Sequence, residues 1–598
     1  MASKIPTDIS DSTVNFTVKA NGTAIKDYYP VTSIEISSVL NKIPRAEITL
    51  IDGTVESEDF PISESSDLKP GVEIEILCGY GSEPPASLFT GVIVSQSVQI
   101  DDSEPNRLVL VCKHKASVLT YNRKEAMFLK KKDSEMIASI IQTSSLKSRV
   151  ESSTIIHDYM FQKSATDWDF ILARAEMNGY VVSFDADTIV VGPPAFLSST
   201  VLNIVYGQSI LSFTGEINAE HQASGVNASG WDLKSQSLLT EKASEPKLNK
   251  HGNLNGQALS SALNQKELNL TYNNPLSKAE LKLWADNQLL RMRMASIKCT
   301  ISTLGNGLAL PNVAIAISGL GDRFNGPAYV SEVEHRISPG SWTTQIKTGL
   351  SFNRISEKKD FSSPVAGGQL PPLQGLQTAV VKKISEDPLS EFRIQIQLNS
   401  KSTTPQPVWA RLATFYATSS AGSGFVPEPG DEVIVGFLEN DPRYPVILGS
   451  LYSSAHPAGT PPPDEKNNLK TIVTKNKLKL TFDEEKKSVR IETPGGNYCL
   501  LSDDDKSIEI ADQNSNSIKL SSSGIEIKSN KDITLKANGN ISQNATGKID
   551  LVSQQDSTLS GLNVNCTAKI GFTAKGNATA EISASGQTTV KGAIVMIN

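Results

Sequence analysis

Alternation of apolar and polar residues dominates the beginning of the chain. Apolar side chains recur at every second position in three segments: Val14, Phe16 and Val18; Val72, Ile74, Ile76 and Cys78; Leu108, Leu110 and Cys112. A period of two predicts half-buried strands, and short strands at regular spacing favour a barrel or a sandwich. Strands are expected again at Val313–Ile317 and Ala328–Val333.

A helical spacing interrupts this alternation. One apolar stripe consists of Met136, Ile137, Ile140 and Ile141. A second predicted helix begins at the N-cap candidate Thr166 and ends at Gly179, and a longer one covers Leu276–Met294. The pattern predicts a mainly β region over 1–365 with a small α/β insert near 130–195.

Two polar, Gly- and Pro-rich stretches, Ser356–Gln377 and His456–Leu469, are typical of linkers. They separate a middle module, 366–459, from a C-terminal segment, 460–598. The middle module contains five short strand candidates, as a small OB-fold barrel requires. These are Thr378–Ile384, Phe392–Leu398, Val408–Ala413, Glu432–Leu438 and Pro445–Tyr452.

The C-terminal segment repeats pairs of apolar residues. The step from Ile525 through Ile533 and Ile541 to Ile549 is eight residues each time, and turn-forming residues lie between the pairs. So short a repeat predicts a β-helix or solenoid. The predicted core pairs are Ile508 and Ile510, Ile518 and Leu520, Ile525 and Ile527, Ile533 and Leu535, Ile549 and Leu551, Leu562 and Val564, and Ile570 and Phe572.

Two aliphatic side chains per eight residues cannot enclose a core within one chain. Each exposed isoleucine forgoes about 1.5–3 kcal/mol of burial. Three chains wound together would bring the pairs to a shared axis and pair the open strand edges. The segment therefore predicts an intertwined triple-stranded β-helix. A disordered tail is disfavoured, because such tails are poor in Ile and lack a fixed apolar period.

Composition narrows the class of protein. A length of 598 residues indicates three to five domains. The net charge of −7 disfavours a non-specific binder of nucleic acid or of anionic membranes. Neither an apolar run of membrane-spanning length nor a signal-peptide pattern occurs in the sequence. We therefore expect a protein made in the cytoplasm without a signal peptide.

The most specific motif lies in the middle module. It comprises a Pro-Glu-x-Gly-Asp-Glu-Val turn at Pro427–Val433, preceded by Phe425, an acidic loop around Asp441 and Pro442, Pro445, and a Gly-x-Leu-Tyr ending at Tyr452. This motif, with upstream segments 88–94, 166–182 and 317–335, resembles the VgrG-type spike proteins of contractile injection systems. These are similar to a fused phage baseplate hub and tail spike, and the resemblance covers nearly the whole chain.

The resemblance implies a structural homotrimer. Two β-barrel subdomains per hub region would adapt the spike to the sixfold inner tube, an Hcp-like hexamer, within a baseplate. The needle would puncture the target cell envelope and carry effector cargo, and its blunt end would hold a PAAR-type tip protein. The implied tip-binding residues are Ile594, Val595, Met596, Ile597 and Asn598. The spike would be assembled in the contractile particle and delivered or released outside the cell.

No catalytic, cofactor or metal site is predicted. The gap between Tyr452 and the first needle strand near Thr471 is about 18 residues, too short for an enzyme domain. The rival prediction is a trimeric phage-like tail spike that cleaves glycans, which needs clustered carboxylates and aromatic sugar platforms. Aromatic residues in the OB module, Phe415 and Tyr416 among them, are expected to pack rather than to bind nucleic acid. Type VI secretion and a released extracellular particle both remain open, as does an ion on the trimer axis.

Overall fold

The structure is a computed structural model of the single chain. It describes residues 4–7, 13–56, 58–357, 361, 364–399, 406–460, 462 and 464–597. The chain divides into two compact units, Met1–Leu451 and Tyr452–Asn598. Strands take up 39% of the described residues and helices 11%, which confirms the mainly β fold class.

Seven strands open the first unit, and their inward residues are those that the alternation predicted. The triplet Leu108, Leu110 and Cys112 is fully buried, since successive side chains of a strand point to opposite faces. The strands are β1 Val14–Ala20, β2 Thr23–Ala24, β3 Val31–Val39, β4 Arg45–Ile51, β5 Glu73–Tyr80, β6 Ala86–Gln99 and β7 Arg107–Lys113.

An α/β insert follows a short 3-10 helix, Lys115–Thr120. Its elements are β8 Arg123–Lys132, α1 Asp133–Thr143, β9 Lys147–Val150, β10 Ile156–Thr166, α2 Asp167–Met177, β11 Val181–Asp185 and β12 Thr188–Gly192. The predicted stripe of α1 is buried. The Thr166 hydroxyl oxygen accepts a hydrogen bond from the Asp169 amide at 3.0 Å and caps α2, as predicted.

The rest of the first region returns to strands around a long helix. Its elements are β13 Thr200–Val205, β14 Ser212–Ile217, β15 Val226–Asp232, β16 Ser237–Lys242, α3 Gly256–Ala262, β17 Leu268–Tyr272, α4 Lys278–Met294, β18 Ile297–Leu304, β19 Ala314–Ser318, β20 Gly326–Ser338 and β21 Ser341–Thr348. Helix α4 matches the predicted helix, and Ser277 and Glu280 form a capping box at its start. The short α3 and the three-stranded sheet β16-β15-β17 were not predicted.

One 13-stranded sheet connects the two halves of this region. Strand β20 pairs with β21 on one side and with β3 on the other, where His335 lies opposite Ile36. One apolar core contains the inward residues of β1 and β3–β7. A second core contains those of β13, β18, β19 and β20. A single continuous sheet thus carries two separate apolar cores.

The middle module is a closed five-stranded barrel with the strand order β22-β23-β24-β28-β27. Its barrel strands confirm the five predicted ones to within two residues at each end. The elements are β22 Gln377–Lys383, β23 Ile394–Leu398, β24 Val408–Leu412, β25 Ala417–Thr418, β26 Ala421–Gly422, β27 Glu432–Phe437 and β28 Pro445–Leu451. Short 3-10 turns lie at Ile355–Glu357, Val365–Gly368 and Leu438–Asn440.

The second unit begins with an antiparallel meander in which each strand pairs with the next. Its seven strands are β29 Leu469–Val473, β30 Lys479–Asp483, β31 Ser488–Glu492, β32 Tyr498–Ser502, β33 Ser507–Ala511, β34 Ser517–Ser521 and β35 Gly524–Lys528. The described residues 529–597 contain neither helix nor strand.

Candidate assembly surfaces

The meander has one apolar face, built from two rows of side chains that the strand register aligns. One row runs across β31 to β35 through Ile491, Cys499, Ile510, Ile518 and Ile527. The other row runs through Val489, Leu501, Ile508, Leu520 and Ile525. Both rows lie on the same face, because their members are two positions apart along each strand.

Burial on the meander is the reverse of what an isolated sheet would favour. Ile508 and Ile510 are 41% and 53% exposed, whereas the side chain of Glu509 between them is only 23% exposed. Each of these isoleucines forgoes about 1.5–3 kcal/mol of burial. The apolar face therefore needs a cover that a single chain does not supply.

The opposite face carries polar side chains that pair with one another across β31 to β33. The Arg490 guanidinium donates from Nε to Glu492 at 2.6 Å and lies 3.9 Å from the ring centre of Tyr498. The Tyr498 hydroxyl donates to Glu509 Oε1 at 2.6 Å. The hydrogen bond from Arg490 lowers the pKa of Glu492 below its ordinary value. Polar pairs thus occupy the β31–β33 part of this face, whereas the buried Thr481 Oγ1 on β30 has no hydrogen-bond partner within the described residues.

Beyond β35 the predicted core residues are all at least half exposed in the single chain. This group consists of Ile533, Leu535, Ile549, Leu551, Leu562, Val564, Ile570 and Phe572. The described residues 529–597 contain none of the short strands expected there. Their place in a shared core remains a prediction.

The predicted tip residues are exposed as well. Ile594, Met596 and Ile597 are each at least 80% exposed, and Val595 is 49% exposed. Asn598 lies outside the described residues. Four apolar side chains in succession are thus exposed, and a concentration of exposed apolar residues is typical of a partner site.

The sequence motif of the barrel builds two turns. The first brings the Glu428 amide 2.8 Å from Asp431 Oδ2, and Gly430 adopts a φ of +97°, which favours glycine. In the second, Arg443 donates to both carboxylate oxygens of Asp441, from Nε at 3.0 Å and from Nη2 at 2.7 Å. The motif residues thus fix the barrel connections rather than forming a reactive site.

Other candidate chemistry is scattered. The described residues contain no group of three or more His, Cys, Asp and Glu side chains placed to hold a metal ion. In the part of the chain that the structure covers, no helix is both long and apolar enough to cross a membrane. Phe415 and Tyr416 are 87% and 54% exposed and precede the β25–β26 hairpin, outside the barrel core, so their expected packing role stays a prediction.

Two further exposed apolar surfaces lie in the first unit, and sequence analysis did not predict them. One is the outer face of the β8–β10 pair, with Met127, Leu129, Tyr159 and Phe161. The other is the turn that joins β6 to β7, where Ile100 is 71% exposed.

Two family profiles match the chain. The family described as "Alg8 N-terminal domain" matches residues 10–339, more than half of the chain. The chain belongs to this family. The family described as "Type VI secretion system/phage-baseplate injector OB domain" matches residues 377–452, which coincide with the five-stranded barrel.

Curated relatives confirm the predicted resemblance to VgrG-type spike proteins. The type VI secretion system spike protein VgrG1b of Pseudomonas aeruginosa is 28% identical over 160 residues, 25% of this chain and 21% of the relative. The spike protein VgrG3 of Vibrio cholerae is 39% identical over 74 residues, 12% of this chain and 7% of the relative. The chain thus spans about a fifth or less of the length of these relatives.

Solved structures of tail and secretion proteins are also similar to this member of the Alg8 N-terminal domain family. The 43 kDa tail protein of prophage MuSo2 from Shewanella oneidensis gives a TM-score of 0.43 at 10% identity, over 56% of this chain and 98% of that one. The E. coli c3393 protein, a component of the type VI secretion system, gives a TM-score of 0.36 at 12% identity, over 73% of this chain and 99% of that one. Likenesses this distant carry no argument about function.

Proposed function

We propose that the chain is the homotrimeric structural spike of a contractile injection system. In this proposal three meanders turn their apolar faces toward a common axis, and residues 529–597 continue the intertwined needle. The observation that carries the proposal is the exposed apolar face of the meander, opposite a face whose polar side chains pair with one another on β31–β33. The printed function of the relatives, type VI secretion system spike, agrees with it.

The first unit would serve as the hub. Its two apolar cores, tripled in a trimer, would offer six similar surfaces to a sixfold, Hcp-like inner tube. The exposed run Ile594–Ile597 would seat a PAAR-type tip protein, and the spike would carry effectors through the target envelope. Such a spike works after assembly into the baseplate of the particle.

In this proposal the chain has no catalytic role. Strand β28 ends at Leu451 and β29 begins at Leu469, which leaves no space for an enzyme domain between barrel and needle. Glycan cleavage would need aromatic platforms, and after Tyr498 the sequence has only Phe572. No observation on the described residues favours the glycan-cleaving alternative.

A matched pair of substitutions on β34 tests the shared core. Ile518→Asp would place three carboxylates in one buried layer, where each must be protonated or force the layer open, at several kcal/mol per ion. Ser517→Asp introduces the same residue one position away on the polar face, where its register partner is Lys528.

The readout is trimer survival on gels after graded heating in detergent, together with the molecular mass from light scattering. We expect Ile518→Asp to dissociate at a markedly lower temperature than the parent and Ser517→Asp to match the parent. Equal resistance of the two variants would show that the apolar face does not line a shared core.

A further inference from the structure

The outer face of the β8–β10 pair is an apolar surface without a cover. The register places Met127 opposite Phe161 and Leu129 opposite Tyr159, and these four side chains are 48–68% exposed. On the other face of the same two strands, Phe128 and Met160 pack against the core of the insert. We call the exposed set, Met127, Leu129, Tyr159 and Phe161, the ribbon face.

The ribbon face has a basic rim. Strand β8 carries five basic residues and one acidic residue, in a chain whose net charge is −7. Some of these charges are paired within the chain: Lys124 with Asp167 at 2.5 Å, and Lys130 with Asp158. Lys131 makes no ion pair among the described residues. The rim therefore favours a partner whose apolar surface is edged with carboxylates.

The β6–β7 turn has the opposite character. Val98 and Ile100 lie on one face of β6 and its extension and are 42% and 71% exposed. Asp101 and Asp102 follow directly, and neither forms an ion pair within the described residues. The next acidic residue, Glu104, pairs with Arg107. We call residues 98–104 the hairpin tip.

One chain does not bring these two surfaces together. The hairpin tip lies at the Arg107 end of β7, whereas the chain enters the insert from the Lys113 end, roughly 20 Å away along the strand. The exposure of both apolar sets also shows that neither covers the other. Each surface therefore remains available to another molecule.

We propose that the hairpin tip of one copy docks on the ribbon face of the next copy around the hub. This inference rests on the proposed trimeric spike and names a contact within it. The occupant is a second copy of this chain, because the same chain carries both an apolar surface edged with lysine and one edged with aspartate. A contact between two different surfaces propagates from copy to copy and closes into a ring when the rotation permits.

Cysteine pairs in the full chain test the contact. The background carries Cys566→Ala alone, because Cys499 lies in the apolar row of the meander and the other three cysteines are buried. Ile100→Cys combined with Leu129→Cys should give covalent trimers on non-reducing gels after mild oxidation, while either substitution alone should give none. Leu238→Cys, at a similarly exposed site on β16, replaces Leu129→Cys in the matched control and should not cross-link.

Reversing the charge of one residue at each surface tests whether the basic rim and the acidic hairpin tip attract each other. Asp102→Lys and Lys131→Glu, each added to the cysteine pair, should reduce the yield of covalent trimer about fivefold. The two reversals together should restore it.

The molecular mass from light scattering distinguishes a failure of the head-to-tail contact from a failure of the proposed trimer. A trimer without cross-links, or a cross-link formed by one cysteine substitution alone, overturns the head-to-tail contact and leaves the proposed spike intact. A monomer overturns both.

Discussion

At the scale of single residues, a buried ionic cluster joins the insert together. Asp133, at the start of α1, is 2% exposed and accepts hydrogen bonds from Arg174 Nε at 2.6 Å and Nη2 at 3.0 Å. Asn178 donates to the same carboxylate at 2.8 Å. Burial raises the pKa of Asp133, but the hydrogen bonds and charge of Arg174 outweigh it, so the pKa lies below its ordinary value.

Removal of the cation from this cluster should be costly. Arg174→Met removes the guanidinium from the buried Asp133 carboxylate and leaves it with Asn178 and with His157 Nε2 at 3.2 Å, so we expect the free energy of unfolding to fall by about 3 kcal/mol. Urea denaturation measures the change. The matched control is Arg149→Met: Arg149 pairs with Asp185 at 3.5 Å with both side chains about two-thirds exposed, and its loss should cost under about 1 kcal/mol. Equal losses for the two variants would contradict the assigned role of burial.

His335 makes the stability of the sheet depend on pH. It lies fully buried on β20, where Nδ1 is 2.9 Å from Thr344 Oγ1, and burial lowers its pKa to about 4. In the unfolded chain the His335 imidazole takes up a proton below pH ~6.5, whereas in the folded chain it stays neutral down to about pH 4. As the pH is lowered from ~6.5 to 4, the free energy of unfolding should therefore fall by about 1.4 kcal/mol per pH unit. Below pH 4 this contribution should level off.

The variant His335→Asn isolates this contribution, with His456→Asn, at an exposed histidine, as the control. The difference in unfolding free energy between the parent and His335→Asn should change steadily over that pH range. A difference that stays constant with pH would contradict the assignment.

At the scale of elements, local signals were enough for some predictions. The Thr166 cap, the stripe of α1 and the five barrel strands depend on residues close together in the sequence, and the structure confirms them. The cluster around Asp133 could not be predicted, because Arg174 lies 41 residues away along the chain.

The sequence pattern also did not predict the ribbon face. Both faces of β8 carry apolar residues, so the period of two that would mark one apolar face is not visible.

The end of the needle provides a prediction at this scale. Deletion of residues 592–598 removes the exposed apolar run and should abolish capture of a PAAR-type tip protein, while the hub still trimerises. Lys591→Asp, one residue outside the deletion, should retain capture. Pull-down of the purified tip protein measures both, and undiminished capture by the truncated trimer would refute the assigned tip site.

At the scale of the whole molecule, exposed apolar surface is concentrated where a single chain lacks a partner. The strands of the first unit and its barrel enclose their own cores, whereas the meander and residues 529–597 do not. The octad repeat identifies the residues that a shared core would bury, because their spacing is local, and that burial stays a prediction. The described residues 529–597 form no strand, and strands there stay a prediction, since in the proposed trimer their hydrogen-bond partners would belong to other copies.

The molecular mass of the purified chain in solution tests the central claim most directly. Light scattering coupled to size exclusion, over a wide range of protein concentration without detergent, should give three times the chain mass of 64.4 kDa at every concentration. A soluble, folded species of 64.4 kDa would contradict the shared needle core and, with it, the trimeric spike.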